Sequence, residues 1–176
     1  PDFERIRQSD FRQFYGENFI ETYKKYYGSD EVFKLIQEGI LARLIYPQYH
    51  GYSHFNYPEW MEALENGAKD EIFCFDHEMV GVPSPEYPEK GNQLMDALHC
   101  KNIKHYNEQK EKLIEGVKIF KEIFRYNPVS FIAPVYTWPS DIEYGLSLVG
   151  IRYLQGGRFQ KEVYSDLTGE RGVLMG

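Results

Sequence analysis

Apolar and polar positions alternate at helical spacing in the first part of the chain and form short apolar runs after it. Aromatic residues and Ile recur three or four apart from 3 to 27, which predicts one helix ended by Gly28 and Ser29. A second helix is predicted over 31–38, after the cap candidate Asp30 and before Gly39, a residue typical of helix C-termini.

Short apolar runs then alternate with amphipathic segments. Strands are predicted at 41–46, 71–75, 128–133 and 151–155. Helices are predicted at 57–66 after the cap candidate Asn56, at 93–124 as one long helix or two consecutive helices, and at 141–150. The alternation predicts an α/β fold in which parallel strands alternate with helices. The carboxyl ends of parallel strands lie at one edge, where α/β proteins place their sites. The loops expected at that edge are 47–54, 76–81, 133–138 and 156–159.

Length and composition suit one domain over 1–176, since 42% of the residues are apolar and 16% aromatic. The chain starts at Pro1 and stops inside a Gly-rich run, so we expect the domain to be incomplete, and missing segments or a homo-oligomer to cover its open edges. A formal charge of −7 disfavours nucleic acid as a partner. No membrane span and no signal peptide are recognisable, which favours a cytoplasmic protein.

The sequence HGYSH carries two histidines, His50 and His54, directly after the first apolar run. Zinc binds imidazole nitrogens at about 2.0 to 2.1 Å, so two ligands must converge on one point. Gly51 and Ser53 permit the tight turn that this requires. The pair therefore predicts two metal ligands, although loop histidines bonded to backbone or water fit the same spacing.

A catalytic metal normally has a third protein ligand. Asp76 is the candidate, at the start of the loop after the next predicted strand; its neighbours His77 and Glu78 are the alternatives, and a solvated loop is the plainer interpretation. Cys74, inside its apolar run, predicts a buried thiol. The mixed-charge segment 108–116 predicts a solvated helix face.

PQYHGYSHFNYPEW, and SFIAPVYTW followed by LSLVGIRYLQGG, resemble the central part of the polysaccharide deacetylase family, in a bacterial polysaccharide (de)acetylase-like subgroup. HGYSH is similar to the family motif His-Ser/Thr-x-x-His in a His-Gly-x-x-His form. The resemblance implies a partial distorted (β/α) barrel of the glycoside hydrolase/deacetylase type. It also implies one divalent metal, usually zinc, and hydrolysis of N- or O-acetyl groups on a carbohydrate.

By the same resemblance, His50 and His54 match the metal histidines, and Pro134, Tyr136 and Trp138 fall in the segment that lines the substrate groove. Tyr52 joins these residues as an aromatic ring suited to stacking on a sugar.

Two family motifs have no match in this sequence. No Asp-Asp pair precedes the histidines, and no histidine follows His105, so the catalytic base and acid are unassigned. Ile132 also stands where the family usually has Arg. The chain is therefore either part of an active deacetylase or a degenerate homologue. The alternatives are a non-catalytic carbohydrate-binding domain and a glycosidase that uses Asp76 and Glu78.

Overall fold

The computed structural model describes residues 1–81, 93–157, 161–165 and 171–175. The chain forms two compact units, Pro1–Pro47 and Gln48–Gly176. Part of the expected loop at 156–159 lies outside the described residues. Among the helices in the described ranges, none has both the length and the apolar character that crossing a membrane demands.

The first unit contains three helices, α1 (Phe3–Gln8), α2 (Phe19–Tyr27) and α3 (Glu31–Leu41). The prediction of one helix over 3–27 was wrong. Asp10 and Phe11 take left-handed backbone conformations between α1 and α2. Asn18 then starts α2 with a capping box, in which its side chain and that of Glu21 bind each other's backbone N–H groups.

The strand prediction at 41–46 was also wrong. Helix α3 continues through Gly39 to Leu41, and Arg43 then adopts a left-handed conformation. The N–H groups of Leu44 and Ile45 both donate to the Gly39 carbonyl, which closes a turn where a strand was expected. A six-residue apolar run cannot by itself distinguish a strand from the end of a helix.

The second unit contains four helices and four strands within its described residues. They are α4 (Tyr57–Glu65), α5 (Lys69–Asp76), α6 (Ile103–Phe124), α7 (Ile142–Leu148), β1 (Ser130–Ile132), β2 (Tyr153–Gln155), β3 (Lys161–Ser165) and β4 (Arg171–Met175). Short 3-10 turns occur at Gln93–Met95 and Pro134–Tyr136. Strands β3 and β4 form an antiparallel pair that the hydrophobic pattern did not predict.

The predictions for this unit hold at β1, β2, α4 and α7 and fail at 71–75. Of the helical region predicted over 93–124, α6 forms only from Ile103 onward. Strands β1 and β2 pair in parallel, with Phe131 opposite Leu154. Asn56 caps α4 as predicted, by accepting a hydrogen bond from the Glu59 N–H. The run at 71–75 is instead part of α5, which buries Cys74 and Phe75 and leaves Phe73 exposed. In the described residues the parallel sheet has two strands and one bridge, and the barrel stays a prediction.

The core of the second unit lies between α6 and the parallel strands. Its buried members are Tyr49, Leu98, Leu113, Val117, Phe120, Phe131, Ala133, Trp138, Ile142, Leu146 and Ile151. A second group joins α4 to α5, where the rings of Trp60 and Phe75 lie 5.8 Å apart. Helix α6 therefore supports the strand ends that carry the candidate site.

Candidate functional site

The segment before the histidines runs beside β1. Tyr49 forms a parallel bridge with Phe131, and the Ile132 N–H donates to the Tyr49 carbonyl at 3.0 Å. Residue 49 thus occupies the position of a third parallel strand, on the side of β1 opposite β2. No strand forms at 41–46, but His50 does follow a parallel bridge, at the carboxyl end of β1.

Tyr49 is a buried anchor for what we term the histidine loop, residues 49–56. Its side chain is 3% exposed, and its hydroxyl donates to the Leu113 carbonyl at 2.6 Å. The ring packs at 5.6 Å from Phe131 and 6.1 Å from Phe120. Burial raises the pKa of Tyr49 well above its ordinary value, so the phenol stays neutral and serves as a donor.

The two imidazole rings lie side by side, with centroids 4.9 Å apart and planes inclined by 55°. His50 Nδ1 lies 2.7 Å from the Ile132 carbonyl oxygen, which can only accept, so Nδ1 carries the proton and donates. The Nε2 lone pair of a neutral His50 is then available to a metal or a donor. Gly51, at φ 102°, adopts a conformation that favours glycine and lets the chain turn between the two rings.

Asp76 is not brought to this pair. It is the exposed last residue of α5, and the described residues include no group of three His, Cys, Asp or Glu side chains placed to hold a metal. The reasoning that put Asp76 at the sheet edge failed because 71–75 is a helix. His77 bonds through Nδ1 to the Phe73 carbonyl at 2.8 Å and stacks on the Phe73 ring.

The Pro134–Tyr136 turn follows β1 at the same edge. A Cβ placed on Gly51 would contact the Pro134 ring at 3.9 Å, so the turn adjoins the histidine loop. Val135 and Tyr136 both take left-handed conformations, at φ 51° and 58°. For non-glycine residues this costs roughly 1–3 kcal/mol each, and such strain is often found at functional sites.

The three predicted groove residues of this segment differ in exposure. Tyr136 is 50% exposed, whereas Pro134 and Trp138 are buried. The Trp138 indole N–H donates to Glu143 at 2.9 Å, and its ring belongs to the core. Tyr136 therefore offers an exposed aromatic surface, whereas Trp138 packs in the core.

Tyr52 lines a small cleft, partly open to solvent, between the histidine loop and α6. Gln109, Lys112 and Leu113 of α6 line its other side, together with Pro134. Lys112 lies 5.1 Å from the Tyr52 ring centre and pairs with Glu115 at 2.7 Å, an ion pair that raises the pKa of Lys112. The prediction of a solvated face at 108–116 overlooked this side of α6. Its buried residues, Gln109, Leu113 and Gly116, are three or four apart and stand among charged residues that are not buried.

A buried polar cluster lies at the far end of the histidine loop. Asn56 is 1% exposed and Glu59 is 8% exposed. Lys101 Nζ pairs with Glu59 Oε1 at 3.1 Å, and His99 Nδ1 lies 3.8 Å from Glu59 Oε2. Burial alone would raise the pKa of Glu59, but its attraction to the nearby His99 ring and to the charged Lys101 holds that pKa below its ordinary value. No sequence motif indicated this cluster, because its members come from separate segments.

Comparison with known proteins gives no relative from which a role could be transferred. No family model, no curated protein and no solved structure matches the chain. The functional assignment therefore depends on the residues themselves.

Proposed function

We propose that this chain belongs to a metal-dependent hydrolase that removes N- or O-acetyl groups from a carbohydrate, and that His50 and His54 hold its divalent metal, zinc. The observation that supports the proposal is the pairing of the two imidazoles, 4.9 Å apart, at the carboxyl end of a parallel strand. The sequence resemblance assigns the same two residues to the metal.

The donor set suits zinc, which binds neutral imidazole. Metal-binding histidines usually donate their second ring N–H to a carbonyl or carboxylate, as His50 does to Ile132. When bound, the metal would polarise an acyl carbonyl and lower the pKa of a bound water. Catalytic zinc normally has three protein ligands, so the proposal requires a third from outside the described residues.

The turn after β1 supplies the proposed carbohydrate contact. Tyr136 presents a half-exposed ring on the turn whose Pro134 adjoins the histidine loop, and an aromatic ring suits the apolar face of a pyranose. A hydrogen bond from the Thr137 hydroxyl to the Val135 carbonyl, at 3.1 Å, joins the residues on either side of Tyr136 and restrains the backbone of the turn. Tyr52 offers a second ring at the neighbouring cleft.

A non-catalytic carbohydrate-binding or degenerate deacetylase-like domain is the second candidate. It is favoured by one observation, that the described residues join no third metal-binding side chain to the histidine pair. In that case the imidazoles would hydrogen-bond sugar hydroxyls.

Metal content and acetate release test the proposal. Purified protein should contain about one zinc per chain, and should release acetate from N-acetylated or O-acetylated oligosaccharides in a manner that a chelator blocks. His50→Ala should lose both properties. His77→Ala is the matched control, because His77 also bonds a carbonyl through Nδ1 but lies outside the pair.

The other results are equally informative. Protein that binds sugars without metal and releases no acetate would contradict the proposal and support the second candidate. Release of reducing ends that a chelator does not affect would instead indicate a glycosidase.

A further inference from the structure

Both ends of the histidine loop are attached to one face of α6. At the start, the Tyr49 hydroxyl donates to the Leu113 carbonyl at 2.6 Å. At the end, the Gln109 side-chain amide donates to Asn56 Oδ1 at 3.1 Å. Gln109 and Leu113 are four residues apart, about one helical turn, and therefore share a face of the helix. The spacing between the two attachments is thus set by a continuous 22-residue helix.

Asn56 is held on every side, two residues after His54. Its Oδ1 accepts from the Glu59 N–H and from Gln109, at 3.3 and 3.1 Å. Its Nδ2 donates to the His99 carbonyl at 2.8 Å, to Glu59 Oε2 at 3.1 Å and to the Asp96 carbonyl at 3.3 Å. These contacts occupy both acceptor sites and both N–H groups of the amide, with one N–H shared between two oxygens, and a 180° rotation of the amide would turn its oxygen toward the oxygens that now accept from Nδ2.

Gln109 is just as fully engaged, and it is 5% exposed. Its amide nitrogen donates to the His99 carbonyl at 3.0 Å as well as to Asn56, and its oxygen accepts from the Cys100 thiol at 2.8 Å. A buried network whose members are all bonded resists rearrangement, because each displaced group would leave another buried without a partner.

We propose that Asn56 and Gln109 are positioning residues for the histidine pair: through them α6 fixes where His54 stands relative to His50. The His50 ring is held by separate contacts: the neighbouring Tyr49 bonds the Leu113 carbonyl of α6, and His50 Nδ1 bonds the Ile132 carbonyl of β1. The inference rests on the proposed function of the pair as metal ligands, but its geometric content can be measured without metal.

Asn56→Asp separates positioning from capping. The aspartate keeps an oxygen that caps α4, since Asp and Asn cap helices about equally well, but it cannot donate to the His99 carbonyl or to Glu59. We expect zinc affinity, measured by isothermal titration on the full chain, to fall by about 10-fold or more, the size of effect seen when a supporting partner of a metal ligand is lost. Asn102→Asp is the matched control, since the exposed Asn102 caps α6 by accepting from His105 N–H; it should bind zinc like the unmodified chain.

Gln109→Met is the second variant, because it cuts the link to α6 and leaves the α4 cap intact. If Asn56→Asp does not fold cooperatively, Gln109→Met alone tests the positioning role. For both variants, the nuclear Overhauser contact between the His50 and His54 ring protons provides a reading that needs no metal. We expect the contact in the unmodified chain and in Asn102→Asp, and its loss or weakening in Asn56→Asp and Gln109→Met.

The two proposals can fail separately. If the unmodified chain binds no zinc but shows the ring contact, and both variants lose it, the metal function is wrong and the positioning role stands. If folded Asn56→Asp or Gln109→Met keeps both the ring contact and the zinc affinity of the unmodified chain, the positioning role is wrong.

Discussion

Gly116 lies under the Tyr49 side chain, which makes Gly116→Ala a sharp test of how the histidine loop is anchored. A Cβ at this position would overlap the Tyr49 hydroxyl and lie 3.1 Å from Cζ and 3.3 Å from Cε2. Tyr49 cannot withdraw cheaply, because it is 3% exposed and its hydroxyl is bonded to the Leu113 carbonyl.

The expected loss of stability follows from three contributions. Overpacking a buried site costs about 1–3 kcal/mol. Displacing the Tyr49 hydroxyl from the Leu113 carbonyl adds about 1 kcal/mol. Replacing a helical glycine by alanine returns about 1 kcal/mol. We therefore expect Gly116→Ala to lower the free energy of unfolding by roughly 1–3 kcal/mol in total.

Tryptophan fluorescence during urea unfolding is a suitable assay. Both tryptophans, Trp60 and Trp138, lie in the second unit, so the signal reports on the unit that contains Gly116. Gly145→Ala in α7 is the matched control, because its added Cβ would lie 3.8 Å from Ile114 and Lys110, an ordinary contact. We expect that variant to be neutral or stabilised, by up to about 1 kcal/mol.

A double variant identifies the cause. In a Tyr49→Phe background the overlapping oxygen is absent, so Gly116→Ala should cost less there than in the unmodified chain. If Gly116→Ala is as stable as Gly145→Ala, or equally costly with and without the Tyr49 hydroxyl, the anchoring argument is wrong.

Three further predictions concern the buried cluster, the core and the groove. The ordinary pKa of a Glu side chain is near 4.5, and the pKa of Glu59 in the folded chain is lower. Ionised Glu59 therefore stabilises the fold fully above the ordinary pKa, and this stabilisation is lost as pH falls through the folded pKa. Glu59→Gln should therefore lose less stability than the unmodified chain in urea unfolding between pH 6 and pH 3; an identical loss would contradict this. Trp138→Ala should cost about 3–5 kcal/mol of stability, since it empties a core position. Tyr136→Ala should leave stability nearly unchanged and weaken binding to acetylated oligosaccharides in affinity electrophoresis, and unchanged binding would remove Tyr136 from the proposed groove.

Local signals identified the parts of the structure that short segments determine. Asn56 before YPEW predicted the start of α4, and the apolar runs at 128–133 and 151–155 predicted the parallel strands. The Gly between two histidines predicted that their rings could converge, and they lie 4.9 Å apart. Each of these features depends on neighbours within a few residues, or on the common edge of parallel strands.

The two wrong strand predictions share one physical cause. The runs at 41–46 and 71–75 are short and apolar, and short apolar runs suit a strand or one side of a helix equally well. At 71–75 the packing of Phe75 against Trp60 of α4 favours the helix, and that contact is invisible in the local pattern. With this strand gone, the argument that placed Asp76 beside the histidines also fails.

The sequence alone determined that two imidazoles lie close together in the chain with a glycine turn between them, because that depends on residue types and spacing. Only the tertiary structure decided what holds them there. Gln109, Leu113 and Gly116 stand in a stretch whose charges suggest a solvated face, yet folding turns their shared side inward against Tyr49 and Asn56. These contacts join residues that are more than fifty positions apart in the sequence. No local pattern predicts them, since they form only when α6 packs against the strand ends.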